Sequence, residues 1–213
     1  PAFLSRAESR ARVEAAEAAG TPWPRDPDGA PHYPGDERSW SQQQRQERQR
    51  AQPRHAWRLD MSAALAHVAG RAAGGGVGHA ASVQDQTWFE WSGDIDPNNG
   101  PLGAWTSGSA AAWGDVVLAR SDTPTSYHLS VVLDDAIQGI SHVVRGRDLE
   151  PATAVHRLLQ TLLGLPEPIY HHHDLIVDDD GRKLSKSAKD TALSELRAAG
   201  LQPSDIRRMV GLG

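Results

Sequence analysis

The sequence predicts an α/β fold for its second half, and three observations carry that prediction. Short apolar runs typical of strands occur at 116–119 and again at 140–144. Residues 151–163 have the pattern of a helix, with a Pro at the start and a Gly directly after the end. Strands that alternate with helices are typical of α/β domains. The runs 116–119 and 129–133 each fit either a strand or a buried helix, because periodicity does not separate the two in such short segments.

Further elements are predicted towards the C-terminus. Residues 169–172 and 175–177 are predicted as brief strands, and two short helices are predicted at about 190–199 and 203–210. The three consecutive histidines at 171–173 alternate between the faces of a strand, so at most two of them can face one metal ion.

The first part of the chain has a different character. Residues 5–19 are rich in alanine and predict a helix, which Ser5 and Glu8 begin with the spacing of a capping box. The Pro-, Gly- and Asp-rich stretch 21–37 predicts a loop. The stretch 92–109 is rich in Gly, Pro and Ser and is predicted to be a linker.

Composition excludes several classes of protein. The chain has 213 residues and a formal charge of −5, which excludes a polycationic nucleic-acid coat. Its mean hydropathy of −0.52 excludes a membrane-spanning protein. It has no cysteine, which excludes disulfides, thiolate zinc sites and cysteine nucleophiles. No signal peptide opens the sequence, and we expect a cytoplasmic protein.

An arginine-rich segment spans residues 38–58. It contains six arginines and one acidic residue, interleaved with glutamines and two tryptophans. Two interpretations stay open: a helix with a solvated polar face, or a contact surface for the phosphate backbone of a nucleic acid. The arginines are Arg38, Arg45, Arg48, Arg50, Arg54 and Arg58.

The lysines of the chain are clustered. All three, Lys183, Lys186 and Lys189, lie within seven residues, whereas arginine is spread over the whole chain. An ammonium is a compact point charge that arginine does not always replace, so this segment is predicted to need lysine. The run GRKLSKS at 181–187 is too polar for a core. Two ammonium groups on such a loop can fold over a polyphosphate and stabilise a departing pyrophosphate.

Arg145 and Tyr127 are the candidate ligands of a small substrate. Arg145 ends an apolar run and precedes Gly146, so we expect it to be held rigidly at the carboxyl end of a strand. Open α/β sheets bind ligands at that edge, and a guanidinium there suits the bidentate capture of a carboxylate. Tyr127 can offer its hydroxyl to the same ligand.

Four motifs between residues 113 and 187 resemble, in their order, the class I glutamyl-tRNA synthetase family. They are PTSYHL with VVLDD at 124–135, HVVRGRDL at 142–149, LGLPEPIYHH at 163–172 and GRKLSKS at 181–187. The last motif is similar to the family's lysine signature loop, with Leu184 in the place that is usually Met. The resemblance implies a Rossmann-like catalytic domain that activates glutamate with ATP as an acyl-adenylate and then transfers it to RNA.

Two features narrow the resemblance to the glutamyl-Q tRNA(Asp) synthetases. Only 26 residues follow Ser187, too few for the helical anticodon-binding domain of ordinary glutamyl-tRNA synthetases. The opening is similar to the zinc-bearing insertion of that subfamily, which uses a CxC pair and a YPGTCR turn. Here Ala2, Leu4 and Glu37 stand in the places of the three cysteines, and only Tyr33 remains. Zinc is therefore doubtful, because two residues do not complete a tetrahedral site, and packing would have to replace the metal.

The resemblance also assigns roles to single residues. Lys183 and Lys186 are the predicted catalytic residues, with Lys186 as the main charge on the leaving pyrophosphate, while Tyr127 and Arg145 are predicted to hold glutamate. The predicted ATP-binding residues are Lys183, Leu184, Ser185, Lys186 and Ser187. ATP and Mg²⁺ are the implied cofactors. The family has a histidine near residues 171–173 without a metal, so the resemblance implies that these histidines are structural or lie next to the nucleotide. Glutamate and a tRNA(Asp) that bears queuosine are the implied partners of a monomer without membrane contact.

The predicted domains are an inserted subdomain at 1–110, with its zinc ligands largely lost, and the second half of the catalytic domain at 111–213. The chain begins with Pro1, and the H-I-G-H-type motif of class I synthetases does not occur in it. We therefore expect a fragment without the first half of the nucleotide-binding fold. Two alternatives stay open: part of an ordinary glutamyl-tRNA synthetase, or a catalytically inactive RNA-binding fragment.

Overall fold

The computed structural model describes residues 1–72, 85–177 and 192–211. Strands and helices alternate in its second half, as the sequence predicts. The helices are α1 Arg6–Ala18, α2 Gln42–Ala51, α3 Met61–Ala72, α4 Tyr127–Gln138, α5 Thr153–Leu163, α6 Leu193–Ala198 and α7 Pro203–Met209. The strands are β1 Trp57–Arg58, β2 Asp85–Asp96, β3 Gly100–Ser109, β4 Val117–Ala119, β5 His142–Gly146 and β6 Ile169–His173.

The main sheet has four strands in the order β3-β2-β6-β5. The strands β2 and β3 form an antiparallel hairpin, and β6 joins β2 in parallel, with Glu90 beside Tyr170. This pairing places the polar side chains of β2 next to those of β6. The short strands β1 and β4 form a separate antiparallel ribbon.

The predicted linker at 92–109 is wrong, because most of it belongs to the β2–β3 hairpin. Its glycines serve close packing. A Cβ on Gly103 would lie 2.1 Å from the carbonyl oxygen of Glu90, and one on Gly108 would lie 3.1 Å from the Trp88 ring. At the hairpin turn, the Asp96 carboxylate accepts hydrogen bonds from two backbone N–H groups of the turn. The glycines that suggest a linker are therefore needed for close packing in a tight hairpin over the buried Trp88.

Helix α5 forms the centre of the core. Val155 and Leu158 are completely buried, and the helix packs against β2, β3, α3 and α4. It ends at Gly164, whose φ of 65° is the left-handed conformation of a glycine C-cap, as the sequence predicts. The ambiguous run 129–133 is helical and lies within α4, which Ser126 caps by accepting a hydrogen bond from the N–H of Leu129. Residues 175–177 form no strand of their own within the described part of the chain.

The chain divides into two compact units. The larger consists of residues 1–145 and 149–172, and the smaller of residues 146–148 and 173–213. The sheet takes strands from both sides of the predicted domain boundary at residue 110, and that boundary stays a prediction. Among the described residues, no helix has the length and apolar character needed to cross a membrane.

Candidate active site

Arg145 lies near the end of β5, as the sequence predicts, and its side chain is buried. Each of its three nitrogen atoms donates a hydrogen bond. Nε donates to His172 Nε2 at 3.1 Å, Nη1 to His156 Nδ1 at 3.0 Å and Nη2 to Thr153 Oγ1 at 2.6 Å. The guanidinium also lies over the ring of Tyr170, 5.2 Å from its centre. We call Arg145, Thr153, His156, His172 and Glu90 the Arg145 network.

Hydrogen bonding fixes the protonation of both histidines. Because Arg145 can only donate, His172 Nε2 and His156 Nδ1 must accept, and the proton of each neutral ring lies on its other nitrogen. His172 Nδ1 then donates to Glu90 Oε2 at 2.8 Å, and His156 Nε2 donates to His128 Nδ1 at 3.1 Å. The network therefore surrounds the guanidinium with neutral acceptors.

Burial keeps these histidines neutral. Desolvation lowers the pKa of His172, and it lowers the pKa of His156 to about 2, with a further contribution from the positive charge of Arg145. Desolvation also lowers the pKa of His128. Each of these rings would have to take up a proton beside a buried cation, which is unfavourable.

Glu90 orients the network from the neighbouring strand. Its carboxylate accepts hydrogen bonds from the backbone N–H of His172 at 2.6 Å and from the Trp88 indole at 3.0 Å, besides the bond from the His172 ring. The parallel pairing of β2 with β6 brings these groups together. Glu90 thus fixes the orientation of the ring that accepts from Arg145.

Within the described part of the chain, Arg145 forms no direct ion pair, and the carboxylate that interacts with its charge is that of Asp135. No aspartate or glutamate there forms an ion pair with it, and Glu90 reaches it only through the ring of His172. A buried charge is costly unless it is paired, so the arrangement favours an anionic ligand.

Tyr127 is the first residue of α4, and about half of its side chain is exposed. Its ring makes an edge contact with His156, with 5.8 Å between ring centres, and a similar contact with His128. His156 in turn accepts the hydrogen bond from Arg145. The two residues predicted to hold glutamate therefore meet at one histidine.

The lysine loop lies outside the described residues. This applies to Lys183, Leu184, Ser185, Lys186 and Ser187, so their predicted roles stay predictions.

Sequence reasoning missed several members of the Arg145 network. Thr153 and His156 are three residues apart on α5 and hence share a face of that helix, a signal that was available in the sequence. Glu90 has no such signal, because its contact with His172 joins residues 82 positions apart. The histidines at 171–173 were interpreted as structural or nucleotide-adjacent, and His172 supports Arg145.

Comparison with known proteins extends the description of this half of the chain. Residues 107–212 match the family described as tRNA synthetases class I (E and Q), catalytic domain. This part of the chain is similar to the catalytic domain of that family. The class I synthetase match contains Tyr127, Arg145 and the lysine loop, whereas Glu90 lies outside it.

Curated relatives carry a more specific name. A glutamyl-Q tRNA(Asp) synthetase from Rhodobacter capsulatus is 62% identical over 101 residues, which are 47% of this chain and 36% of the relative. One of the same name from Leptothrix cholodnii is 44% identical over 138 residues, which are 62% of this chain and 44% of the relative. The matched segments thus span less than half the length of these relatives.

A solved structure shows the fold. Glutamate-tRNA synthetase from Elizabethkingia anophelis superposes with a TM-score of 0.54 over 89% of this chain and 32% of its own chain, at 21% identity. The predicted fold class, an α/β class I synthetase catalytic domain, is confirmed.

Proposed function

We propose that the protein activates glutamate with ATP and transfers it to the queuosine base of tRNA(Asp). The observation that carries this proposal is the buried guanidinium of Arg145 beside Tyr127, which forms no ion pair with any described residue and offers a site for a carboxylate ligand. The names of the relatives from Rhodobacter capsulatus and Leptothrix cholodnii support the choice of glutamate and of the RNA.

In the proposed first step, a carboxylate oxygen of glutamate attacks the α-phosphorus of ATP. The bond from that phosphorus to the bridging oxygen breaks, and pyrophosphate leaves with the electron pair. Arg145 and Tyr127 hold the amino acid, while Lys183 and Lys186 bind the triphosphate and Lys186 stabilises the charge on the leaving group. In the second step, a nucleophilic group on the queuosine base forms a bond to the acyl carbon and gives up its proton. The bond from that carbon to the phosphate oxygen breaks, and AMP leaves with the electron pair.

Mg²⁺ would enter this reaction with the triphosphate. Within the described part of the chain, no group of three or more acidic or histidine side chains is placed to hold a metal ion. A Mg²⁺ ion bound mainly through substrate phosphates is the usual arrangement for nucleotide-dependent enzymes.

The RNA-binding surface in this proposal is an open groove of about 1000 Å³ beside α1. Its walls carry six arginines against three acidic residues, although the whole chain is acidic. Such a local excess of positive charge suits the phosphate backbone of RNA. The arginines are Arg6, Arg10, Arg25, Arg54, Arg58 and Arg120.

The arginine-rich segment 38–58 divides between structural and exposed residues. Arg38 pairs with Asp115, and Arg58 donates to the carbonyl oxygen of Asp115 at 2.6 Å, so both have structural roles. Helix α2 is exposed along its whole length and has no buried residue. Its arginines Arg48 and Arg50 extend the positive surface in this proposal.

The remaining assignments belong to the same proposal. Residues 1–110 form the RNA-facing insertion and residues 111–213 the second half of the catalytic domain. The protein acts as a monomer, and its tRNA substrate places it in the cytoplasm.

The test is ATP–pyrophosphate exchange measured with and without tRNA, in a chain to which the first half of the nucleotide-binding fold has been restored. Glutamate-dependent exchange in the absence of tRNA is the expected result for an enzyme that modifies queuosine. Exchange that requires tRNA would instead indicate part of an ordinary glutamyl-tRNA synthetase. RNA binding without exchange under either condition would indicate an inactive RNA-binding protein.

A further inference from the structure

The residues at the places of the implied zinc ligands do not fit a zinc ion. The resemblance places four ligands at positions 2, 4, 33 and 37, where this chain has Ala2, Leu4, Tyr33 and Glu37. A structural zinc site needs four donor atoms, and the side chains of Ala2 and Leu4 offer none. Among the described residues, no three acidic or histidine side chains are placed to bind a metal.

The two oxygen-bearing residues are engaged in hydrogen bonds instead. Glu37 Oε1 accepts from the backbone N–H of Phe3 at 2.7 Å and from the hydroxyl of Tyr33. The Tyr33 oxygen in turn accepts from the backbone N–H of Leu4 at 3.2 Å. Both backbone donors belong to the segment that would carry the first two zinc ligands, and both acceptors belong to the turn that would carry the others. We call these four residues the Glu37 network.

The charge of Glu37 is balanced inside the fold. Only 6% of the residue is exposed, and a buried carboxylate without partners would be strongly destabilising. Glu37 interacts electrostatically with Arg38 and Arg58, and the guanidinium of Arg58 lies 4.5 Å from the centre of the Tyr33 ring. Hydrogen bonds to an ionised group are stronger than those between neutral groups.

Apolar packing adds to the connection. Phe3 is almost completely buried. Its ring stacks on Trp40 at 5.9 Å between ring centres and makes a tilted contact with His55 at 5.1 Å. The backbone of Ala2 pairs with that of Ala56, with an N···O distance of 2.7 Å. The opening segment is thus anchored on three sides without any group that needs a metal.

We propose that the Glu37 network is a metal-free cross-link that replaces the zinc ion of the resembling family. It joins residues 3–4 to residues 33–37 through two side chains and two backbone N–H groups. The chain therefore folds without zinc, and removal of divalent metals leaves its stability unchanged. This inference concerns metal content and unfolding, and it does not depend on the proposed activity.

One nitrogen atom near the Glu37 network is a possible metal ligand. Nε2 of His55 is buried and has no hydrogen-bond partner in the described structure, whereas Nδ1 of the same ring lies 3.1 Å from the Gln52 carbonyl oxygen. The ring is packed between Phe3 and Trp57. A free imidazole nitrogen is a zinc ligand in principle, so a His55→Ala variant belongs in the experiment.

The first measurement is the zinc content of the purified protein after expression in zinc-supplemented medium, together with thermal unfolding with and without EDTA. We expect far less than one zinc per chain and the same melting temperature in both conditions. Stoichiometric zinc, or a melting temperature that EDTA lowers, would overturn the proposal. Loss of that zinc in His55→Ala would place the metal at His55.

The second measurement compares Glu37→Gln and Tyr33→Phe with the exposed control Glu14→Gln. Each network variant loses a hydrogen bond to a buried charge, which is worth about 1–2 kcal/mol. In a chain of this size, that loss should lower the melting temperature by about 2–8 °C. The control should change it by less than about 1 °C. Network variants as stable as the control would contradict a cross-link.

The third measurement restores the missing ligands. A variant with Ala2→Cys, Leu4→Cys and Glu37→Cys keeps Tyr33 and should bind one zinc ion, after which EDTA should lower its melting temperature. This result would show that the geometry is that of a zinc site and that the natural side chains replace the ion. Failure of the triple variant to bind zinc would contradict the proposal that the Glu37 network replaces a zinc ion.

Discussion

The Arg145 network and the Glu37 network each bury a charged side chain, and they treat its charge in different ways. Glu37 interacts electrostatically with two arginines, and its hydrogen bonds join two distant segments of the chain. Arg145 donates its hydrogen bonds to neutral acceptors, the Glu90 carboxylate is separated from it by a histidine ring, and Asp135 interacts with it electrostatically without an ion pair. Burial alone therefore does not identify a binding site.

The difference shows what distinguishes a structural charge from a functional one. A charge that is compensated by neighbouring charges contributes to the fold and leaves nothing for a ligand to do. Arg145 is oriented by hydrogen bonds, but among the described residues its charge is offset by Asp135 alone, which favours a ligand of opposite sign. Variants in the two networks should accordingly affect different measurements.

The largest effect is expected for the lysine loop, which follows the family pattern as Arg145 does. In a chain with the first half of the nucleotide-binding fold restored, Lys186→Ala should slow ATP–pyrophosphate exchange about a hundredfold to a thousandfold, because a charge that meets the leaving group in the transition state is worth roughly 3–4 kcal/mol. The control Lys189→Ala should cost less than about tenfold. Near-normal exchange in Lys186→Ala with loss in Lys189→Ala would show that the motif has been placed wrongly.

The next effect concerns the ligand of Arg145. Arg145→Gln should weaken the binding of L-glutamate about tenfold to a hundredfold in a calorimetric titration, because it removes a charge-assisted hydrogen bond. The matched control is Arg147→Gln, an exposed arginine of the same motif that pairs with Asp174. Glu37→Gln should lower the melting temperature and leave glutamate binding unchanged. An equal loss of binding in all three variants would erase the distinction between the two networks.

The acid sensitivity of the fold is expected to come from the Arg145 network. The pKa of His156 is about 2 in the folded protein against 6.5 ordinarily, so below pH 6.5 the unfolded chain binds a proton that the folded chain does not. The free energy of unfolding should therefore fall as the pH falls from 6.5 to 5, by up to about 1.4 kcal/mol per pH unit for this proton. Urea unfolding at several pH values measures the slope, and His156→Gln should flatten it. A slope that His156→Gln leaves unchanged would assign it to other groups.

The sequence predicted local features of the fold better than contacts between distant segments. The capping box of Ser5 and Glu8 and the glycine end of α5 depend on neighbouring residues, and both are present in the structure. The β2–β3 hairpin was missed, because its glycines are typical of linkers and are needed here for packing over Trp88. The helical state of 129–133 is set by packing against α5, which periodicity in so short a run does not report.

The candidate site shows the same limit. Motif order identified Arg145 and Tyr127, and the structure brings both into contact with His156. The partners that orient Arg145 come from α5 and from β2, and the pairing of β2 with β6 joins residues about 80 positions apart. Likewise, the sequence indicates only that Glu37 stands where a zinc ligand is lost. Its hydrogen bonds with Phe3 and Tyr33, which support a replacement of the zinc ion, are visible only in the structure.

The smallest expected effect tests the role of Glu90 as a positioning residue. The Glu90 carboxylate uses one oxygen to accept from the backbone N–H of His172 and the other to accept from the His172 ring. In Glu90→Gln only one acceptor oxygen remains, so the His172 ring loses the partner that holds its proton on Nδ1. A proton on Nε2 would face the N–H of Arg145 at 3.1 Å. Glutamate binding should weaken about threefold to tenfold, the value of one hydrogen bond, and the ¹⁵N shifts of His172 should show a change of tautomer. The control Glu167→Gln removes a partly buried carboxylate that pairs with Arg157 and should change neither measurement. Weaker binding without a change in the His172 spectrum would mean that Glu90 acts through stability alone.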